Sequence, residues 1–158
     1  DACVSAWVGF LSETFESDMG DVDSNGASYG VKVGFGGLSL NASGYSGEGI
    51  GILLGPTEAA LGLAPVTMYD PATYESLDSQ GYVLQASYKM DANRFVLSYG
   101  ENEIEDTDYI GHEGMQAAWF YGYNSNVTFA VEYSTSEFSG ILGQEEAQTL
   151  AVGAIVNF

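Results

Sequence analysis

The sequence predicts an all-β fold of antiparallel strands belonging to a transmembrane β-barrel, in a single domain over residues 1–158. Three observations lead to this prediction. Apolar and polar residues alternate along eight stretches of the chain, as in strands that present two different faces. The connections between the stretches are alternately short and long. Charged residues lie mostly in the long connections, so the alternating stretches carry few charges.

The composition limits the class of protein. The 158 residues include 22 acidic and only 3 basic side chains, for a formal net charge of −19. We expect no nucleic-acid partner, because contacts to phosphates require clustered lysine and arginine. A hydrophobic fraction of 46% with abundant aromatic residues argues against disorder. No apolar run reaches the about 20 residues of a membrane helix, but barrel strands hide their hydrophobicity in alternation.

Each element follows from the alternation and from the turn residues that interrupt it. The eight predicted strands cover about 2–11, 28–35, 38–45, 81–90, 94–102, 114–123, 127–134 and 149–158. Tight turns are predicted at 36–37, 91–93 and 124–126, and long polar loops near 12–27, 46–80, 103–113 and 135–147. Short turns at one end of the strands and long loops at the other are typical of outer-membrane barrels.

Alternation does not show which face points inward. A soluble ligand-binding barrel turns its apolar face inward, whereas a membrane barrel turns it toward lipid. The polar face is built from Ser, Gly, Asn, Gln and Thr, which is meagre for a soluble surface. Aromatic residues lie near the strand ends, as in the girdles at membrane interfaces. Both features favour the membrane assignment.

On this assignment the inward polar side chains line a pore. The candidates are Lys32, Asn41, Gln85, Ser87, Ser98, Gln116 and Glu132. Lys32 and Glu132 lie in mid-strand, and Lys32 is expected to pair with Glu132 or with another acid. Lys89 and Arg94 also face inward but flank a short turn, where contacts to lipid headgroups or neighbouring acids are the favoured interpretation.

The segment Asp21–Gly26 matches the start of a calcium loop, Asp-x-Asp-x-Asn-Gly. The candidate ligands are Asp18, Asp21, Asp23 and Asn25, with Gly26 for the sharp turn. The match then fails, because Lys32 stands where the bidentate glutamate belongs and no helices flank the loop. A solvated acidic loop is therefore favoured over a Ca²⁺ site. No other cofactor is predicted, and the single histidine, His112, supplies no basis for an enzyme.

Four segments resemble the C-terminal portion of Gram-negative general diffusion porins: 44–51, 77–89, 95–102 and the last strand, which ends at Phe158. The resemblance implies a homotrimer of sixteen-stranded, water-filled barrels in the outer membrane, in contact with lipid and lipopolysaccharide. Ions and small hydrophilic solutes would cross by passive diffusion. It also makes Phe158 a barrel-end aromatic at the periplasmic rim. The acidic loops are expected to favour cations and to offer sites for divalent ions.

The chain departs from this family in showing only eight strands. Two interpretations stay open: the C-terminal half of a longer porin, or a complete eight-stranded barrel that does not conduct and acts as an anchor or surface-binding protein. A closed eight-stranded barrel is filled by side chains. The inward glycines Gly30, Gly34, Gly100 and Gly153 fill little volume, which favours a wide barrel with more strands.

Overall fold

The computed structural model describes residues 2–17, 20–50, 70, 73, 75–105, 111–140 and 143–158. These residues form eight antiparallel strands in one sheet and no helix. The strands are β1 (Ala2–Ser17), β2 (Gly20–Phe35), β3 (Leu38–Glu48), β4 (Asp78–Met90), β5 (Asn93–Ile104), β6 (Gly111–Gly122), β7 (Val127–Gly140) and β8 (Gly143–Val156). The described part of the chain contains no helix that is long and apolar enough to cross a membrane.

The strands lie side by side in chain order, and the sheet is not closed. Among the described residues, β1 pairs with β2 alone and β8 with β7 alone, so these two strands form the edges. A closed eight-stranded barrel would require β1 to pair with β8. That pairing is missing from this sheet.

All eight predicted strands are confirmed, but two of the predicted loops are wrong. The segments near 12–27 and 135–147 are largely strand, with connections of residues 18–19 and 141–142 between paired strands. Their polar residues keep the two-residue period and bond across the strands: Ser12 Oγ donates to Asn25 Oδ1, and Thr14 Oγ1 donates to Asp23 Oδ1, both at 2.8 Å. Cross-strand hydrogen bonds of this kind stabilise the pairing of β1 with β2 where few apolar side chains are present.

Tight turns set the register at one end of the sheet, called here the lower end, where residues 36–37, 91–92 and 123–126 connect strands. The turn predicted at 91–93 is shorter than expected, because Asn93 already pairs with Met90. Asp91 has a φ of 52° and Gly36 a φ of 57°, in the left-handed region that tight turns use. The opposite end, with the connections 18–19, 49–77, 105–110 and 141–142, is the upper end.

The sheet has a polar face and an apolar face. Lys32, Gln85 and Ser98 belong to the polar face, whereas their chain neighbours belong to the apolar face. The strand residues with buried side chains all lie on the polar face, namely Ser24, Tyr45, Ser79, Val96, Asn102, Ile104 and Ala118. Val96 and Ala118 lie far from the long connections. Their burial indicates a sheet curved toward its polar face, because side chains on the inner side of a curve converge.

Aromatic and other side chains cover several glycines of the polar face. A Cβ built at Gly30 would overlap the indole of Trp7, its cross-strand partner. Cys3 Sγ lies 2.7 Å from the corresponding position at Gly34, and Val83 Cγ2 lies 3.1 Å from that at Gly100. Of the four glycines expected to leave the interior empty, only Gly153 faces open space. Fewer glycines than the sequence suggested therefore favour a wide barrel.

Candidate functional site

The candidate site is a continuous row of polar residues that crosses the whole sheet on its polar face. Direct cross-strand pairing joins one residue from each strand. From β1 to β8 this polar row consists of Ser5, Lys32, Asn41, Gln85, Ser98, Gln116, Ser134 and Thr149. The row contains hydroxyls, amides and one ammonium group, so it offers hydrogen bonds to water and polar solutes along its entire length.

The central members of the polar row are half-buried, and those on the edge strands are exposed. Gln85 Nε2 donates to Ser98 Oγ at 3.0 Å, linking β4 and β5 within the row. The Lys32 side chain is exposed and has Ser5 and Asn41 as its uncharged cross-strand neighbours. The row thus combines a hydrogen-bonded centre with an exposed cation near one edge.

Five of the seven pore-lining candidates meet in this row: Lys32, Asn41, Gln85, Ser98 and Gln116. The other two lie in the next row toward the lower end, where Ser87, Val96, Ala118 and Glu132 follow one another across β4–β7. The structure therefore brings all seven onto one face. Ser5, Ser134 and Thr149 complete the polar row and were missed as candidates, although their alternation already placed them on the polar side.

The expected ion pair between Lys32 and Glu132 is wrong. Lys32 lies on β2 and Glu132 on β7, with four strands between them. Strands in a sheet are about 4.8 Å apart, so this separation is far beyond contact. Among the described residues, Lys32 has no ion-pair partner. Alternation assigned the two side chains to one face but contains no information about lateral distance.

The apolar face carries a broad band of exposed hydrophobic side chains. Val4 is 72% exposed and Phe10 82%, and Leu97, Leu150 and Val152 are also exposed. Aromatic contacts flank the aliphatic centre: the ring centroids of Tyr82 and Tyr99 are 6.0 Å apart toward the upper end, and those of Trp119 and Tyr121 are 6.2 Å apart toward the lower end.

This apolar band crosses the hydrogen-bonded rows obliquely. The row that begins with Val8 and Tyr29 on β1 and β2 is apolar there, but it reaches Glu101, Glu113, Glu137 and Glu146 on β5–β8. On β6–β8 the band instead extends toward the lower end, to Tyr121, Phe129 and Val156. A flat boundary drawn across tilted strands produces such a shift.

Four of these glutamates form an acidic row of direct cross-strand neighbours: Glu101, Glu113, Glu137 and Glu146. Tyrosine hydroxyls border it on one side. Tyr82 Oη donates to Glu101 Oε2 at 2.9 Å, and Tyr99 Oη lies 3.3 Å from Glu113 Oε2. Like charges directly opposite one another across strands are destabilising, so repulsion within this row lowers the stability of the sheet.

Positive and negative charges are distributed unequally over the two faces. The three basic residues of the chain, Lys32, Lys89 and Arg94, all lie on the polar face. Acidic side chains of the described strands lie mainly on the apolar face near the upper end, including Asp21, Asp23, Glu48, Asp78, Glu101, Glu103, Glu113, Glu137 and Glu146. The polar face has Glu13, Glu132 and Glu145. The net charge of −19 therefore does not describe the polar face.

The calcium candidates lie along an extended strand. Asp21, Asp23 and Asn25 alternate on β2, about 6.6 Å apart along the strand, and Gly26 pairs within the sheet instead of forming the predicted sharp turn. Asp18 lies outside the described residues. Within those residues, no group of three His, Cys, Asp or Glu side chains is placed to hold a metal ion.

Two further sequence candidates have defined positions. His112 lies on the polar face of β6, opposite Asn102 and Phe138, and is part of the strand instead of the loop assigned to it. Phe158 follows β8 and is fully exposed, next to Asn157, whose backbone N–H donates to the Asn126 carbonyl at 2.9 Å.

No protein-family model, curated protein or solved structure matched the chain.

Proposed function

We propose that this chain forms wall strands of an outer-membrane porin, through which ions and small hydrophilic solutes diffuse passively. The observation that carries the proposal is the opposition of the two faces: a polar row runs across all eight strands on one face, and an exposed, oblique apolar band runs across the other. Exposed apolar surface of this extent marks a surface that meets lipid or a partner, and no residue of the polar face needs to perform chemistry.

The polar row supports passage of solutes because it can replace part of their hydration. Its amides and hydroxyls both donate and accept hydrogen bonds, so it discriminates weakly among small polar solutes. The half-buried centre, Gln85 bonded to Ser98, keeps these groups against the wall. In this proposal the apolar band lies in the hydrocarbon layer, between the aromatic contacts at its upper and lower margins.

The remainder of the proposal is what the resemblance of four sequence segments to porins implies. The strands would be half of a sixteen-stranded barrel in a Gram-negative outer membrane, assembled as a homotrimer in contact with lipid and lipopolysaccharide. Open edges on β1 and β8 are compatible with further strands on both sides. The cation bias would arise at the upper end, where Glu13 and Glu145 stand on the polar face.

Planar-bilayer recording of the purified full-length protein tests the proposal. We expect stepwise ion currents, and a KCl gradient should give a reversal potential of the sign for cation preference. Protein that inserts into the bilayer without producing any current would contradict the channel.

Two adjacent cysteine substitutions in β5 test which face lines the pore. In a Cys3→Ser background, Ser98→Cys places a thiol on the polar face and Leu97→Cys places one on the apolar face. A charged, membrane-impermeant methanethiosulfonate reagent should lower the conductance of the Ser98→Cys channel and leave that of the Leu97→Cys channel unchanged. The reverse pattern would mean that the two faces have been assigned the wrong way round.

A further inference from the structure

We infer that the lower end of the polar face contains a binding site for phosphate-type oxyanions, built by Lys32, Lys89 and Arg94. These are the three basic residues of a chain with 22 acidic ones, and all of them line a single depression of about 920 Å³. We call this depression the basic cleft. It is formed by described residues, most of them on the polar face or in the adjoining turns, and its existence does not depend on a role for the chain in a membrane.

Backbone and ring contacts position the cations of the basic cleft. Lys89 and Arg94 are direct cross-strand partners beside the turn that connects β4 to β5. The Lys89 N–H donates to the Gly37 carbonyl at 2.8 Å, tying β4 to the turn between β2 and β3. The guanidinium carbon of Arg94 lies 5.1 Å from the centroid of the Phe120 ring, a cation–π distance that holds the side chain over the sheet.

The cleft has an excess of positive charge, because three cations and one acid line it. Lys32, Lys89 and Arg94 form no ion pair with a described residue, although Asp91 also lines the cleft. Like charges placed directly opposite each other, as Lys89 and Arg94 are, destabilise a pair of strands. An anion bound between them would convert this repulsion into two charge-assisted contacts.

The neutral groups of the cleft favour an oxyanion over a simple halide. Ser39, Asn41, Gln85 and Ser87 line it together with the cations and supply hydroxyl and amide donors. A phosphate group has several strong acceptor oxygens, and arginine can bind two of them at once. The shared chemistry is a phosphate group, carried either by a free solute or by a phospholipid headgroup at the lower rim.

Calorimetric titration of the full-length protein with inorganic phosphate, in zwitterionic detergent micelles at low ionic strength, tests the site. We expect saturable binding that Lys89→Gln and Arg94→Gln each weaken about ten-fold, as the loss of one charge-assisted contact predicts. Lys89→Arg keeps the charge and should retain binding, which separates loss of the site from loss of fold. Glu145→Gln, a charge change at the upper end of the same face, should leave the affinity unchanged.

A second arm distinguishes the two sources of phosphate. Titration with phosphatidylglycerol doped into the same micelles should show binding that is lost in the two glutamine variants if the headgroup is the natural ligand. Saturable binding of inorganic phosphate supports the site and shows that a free phosphate group is sufficient as a ligand. Saturable binding of phosphatidylglycerol without binding of inorganic phosphate supports the site and identifies the lipid headgroup as the ligand. Failure of both to saturate, or equal affinities in wild type and glutamine variants, overturns it. Because no current is measured, either result is independent of whether the chain conducts.

Discussion

At the scale of single residues, the packing of the polar face depends on large side chains placed opposite glycines. Trp7 covers Gly30, and the Tyr45 ring approaches the Cβ position of Gly81 to 2.6 Å. Such pairs, one at the edge between β1 and β2 and one between β3 and β4, supply contacts that a glycine cannot provide by itself. Each pair also makes the glycine intolerant of a side chain, because the ring already occupies the space.

Substitution of Gly30 by alanine should therefore destabilise the fold. The new methyl group would overlap the Trp7 indole, and relieving such overpacking typically costs about 1–3 kcal/mol. The free energy of unfolding, measured by urea titration in micelles, should fall by that amount.

Gly153→Ala is the matched control, because a Cβ at Gly153 meets nothing within 4 Å. It should be neutral or stabilise by about 0.4–1 kcal/mol through the loss of unfolded-state entropy. If both substitutions had equal effects, Trp7 would not be packed on Gly30.

At the scale of strands, the tight turns determine which residues meet. The turn at Gly36–Gly37 makes Lys32 the partner of Asn41, and the turn after Met90 makes Gln85 the partner of Ser98. These local pairings follow from turn length and could have been predicted from the sequence. The pairings of Asn41 with Gln85 and of Ser98 with Gln116 could not, because the long connections 49–77 and 105–110 leave the register free.

The upper ends of β1 and β2 show why strand ends were predicted too short. Residues 12–16 and 21–25 are polar except for Phe15 and Val22, which pair with each other, so the contrast between the faces is too weak to signal a strand, yet their backbone pairs as far as Ser17 and Gly20. Hydrogen exchange should find protected amides along residues 12–16. Uniformly fast exchange there would contradict the extended hairpin and favour the loop.

The acidic row predicts an unusual response to loss of a charge. Glu137 lies between Glu113 and Glu146, so Glu137→Gln removes two direct repulsions and should raise the free energy of unfolding by about 0.5 kcal/mol at low salt. The gain should vanish near about 1 M salt, where screening acts within about 3 Å.

Glu132→Gln serves as the comparison for Glu137→Gln, since its cross-strand neighbours are Ala118 and Ala151. It should not stabilise the protein. Equal stabilisation by both variants would assign the effect to net charge instead of to the acidic row.

At the scale of the whole molecule, the sheet separates chemical character by face and charge by end. Alternation predicted the faces well, because the period of a strand is two and every strand keeps it. It placed Lys32, Lys89 and Arg94 on one face, and the last two beside a short turn, but it did not predict that all three line one depression or that most acids of the described strands lie on the other face. The net charge of −19 contains no information about where each charge lies in the fold, so it does not reveal the basic cleft.

The central claim is that the apolar face meets lipid and the polar face meets water. Spin labels at Leu97, Ser98, Gln116 and Ala117, each introduced in a Cys3→Ser background and reconstituted in vesicles, test it most directly. Labels at 97 and 117 should be accessible to oxygen from the bilayer, and labels at 98 and 116 to a water-soluble nickel complex. Accessibility with the opposite phase, or without a two-residue period, would contradict the account.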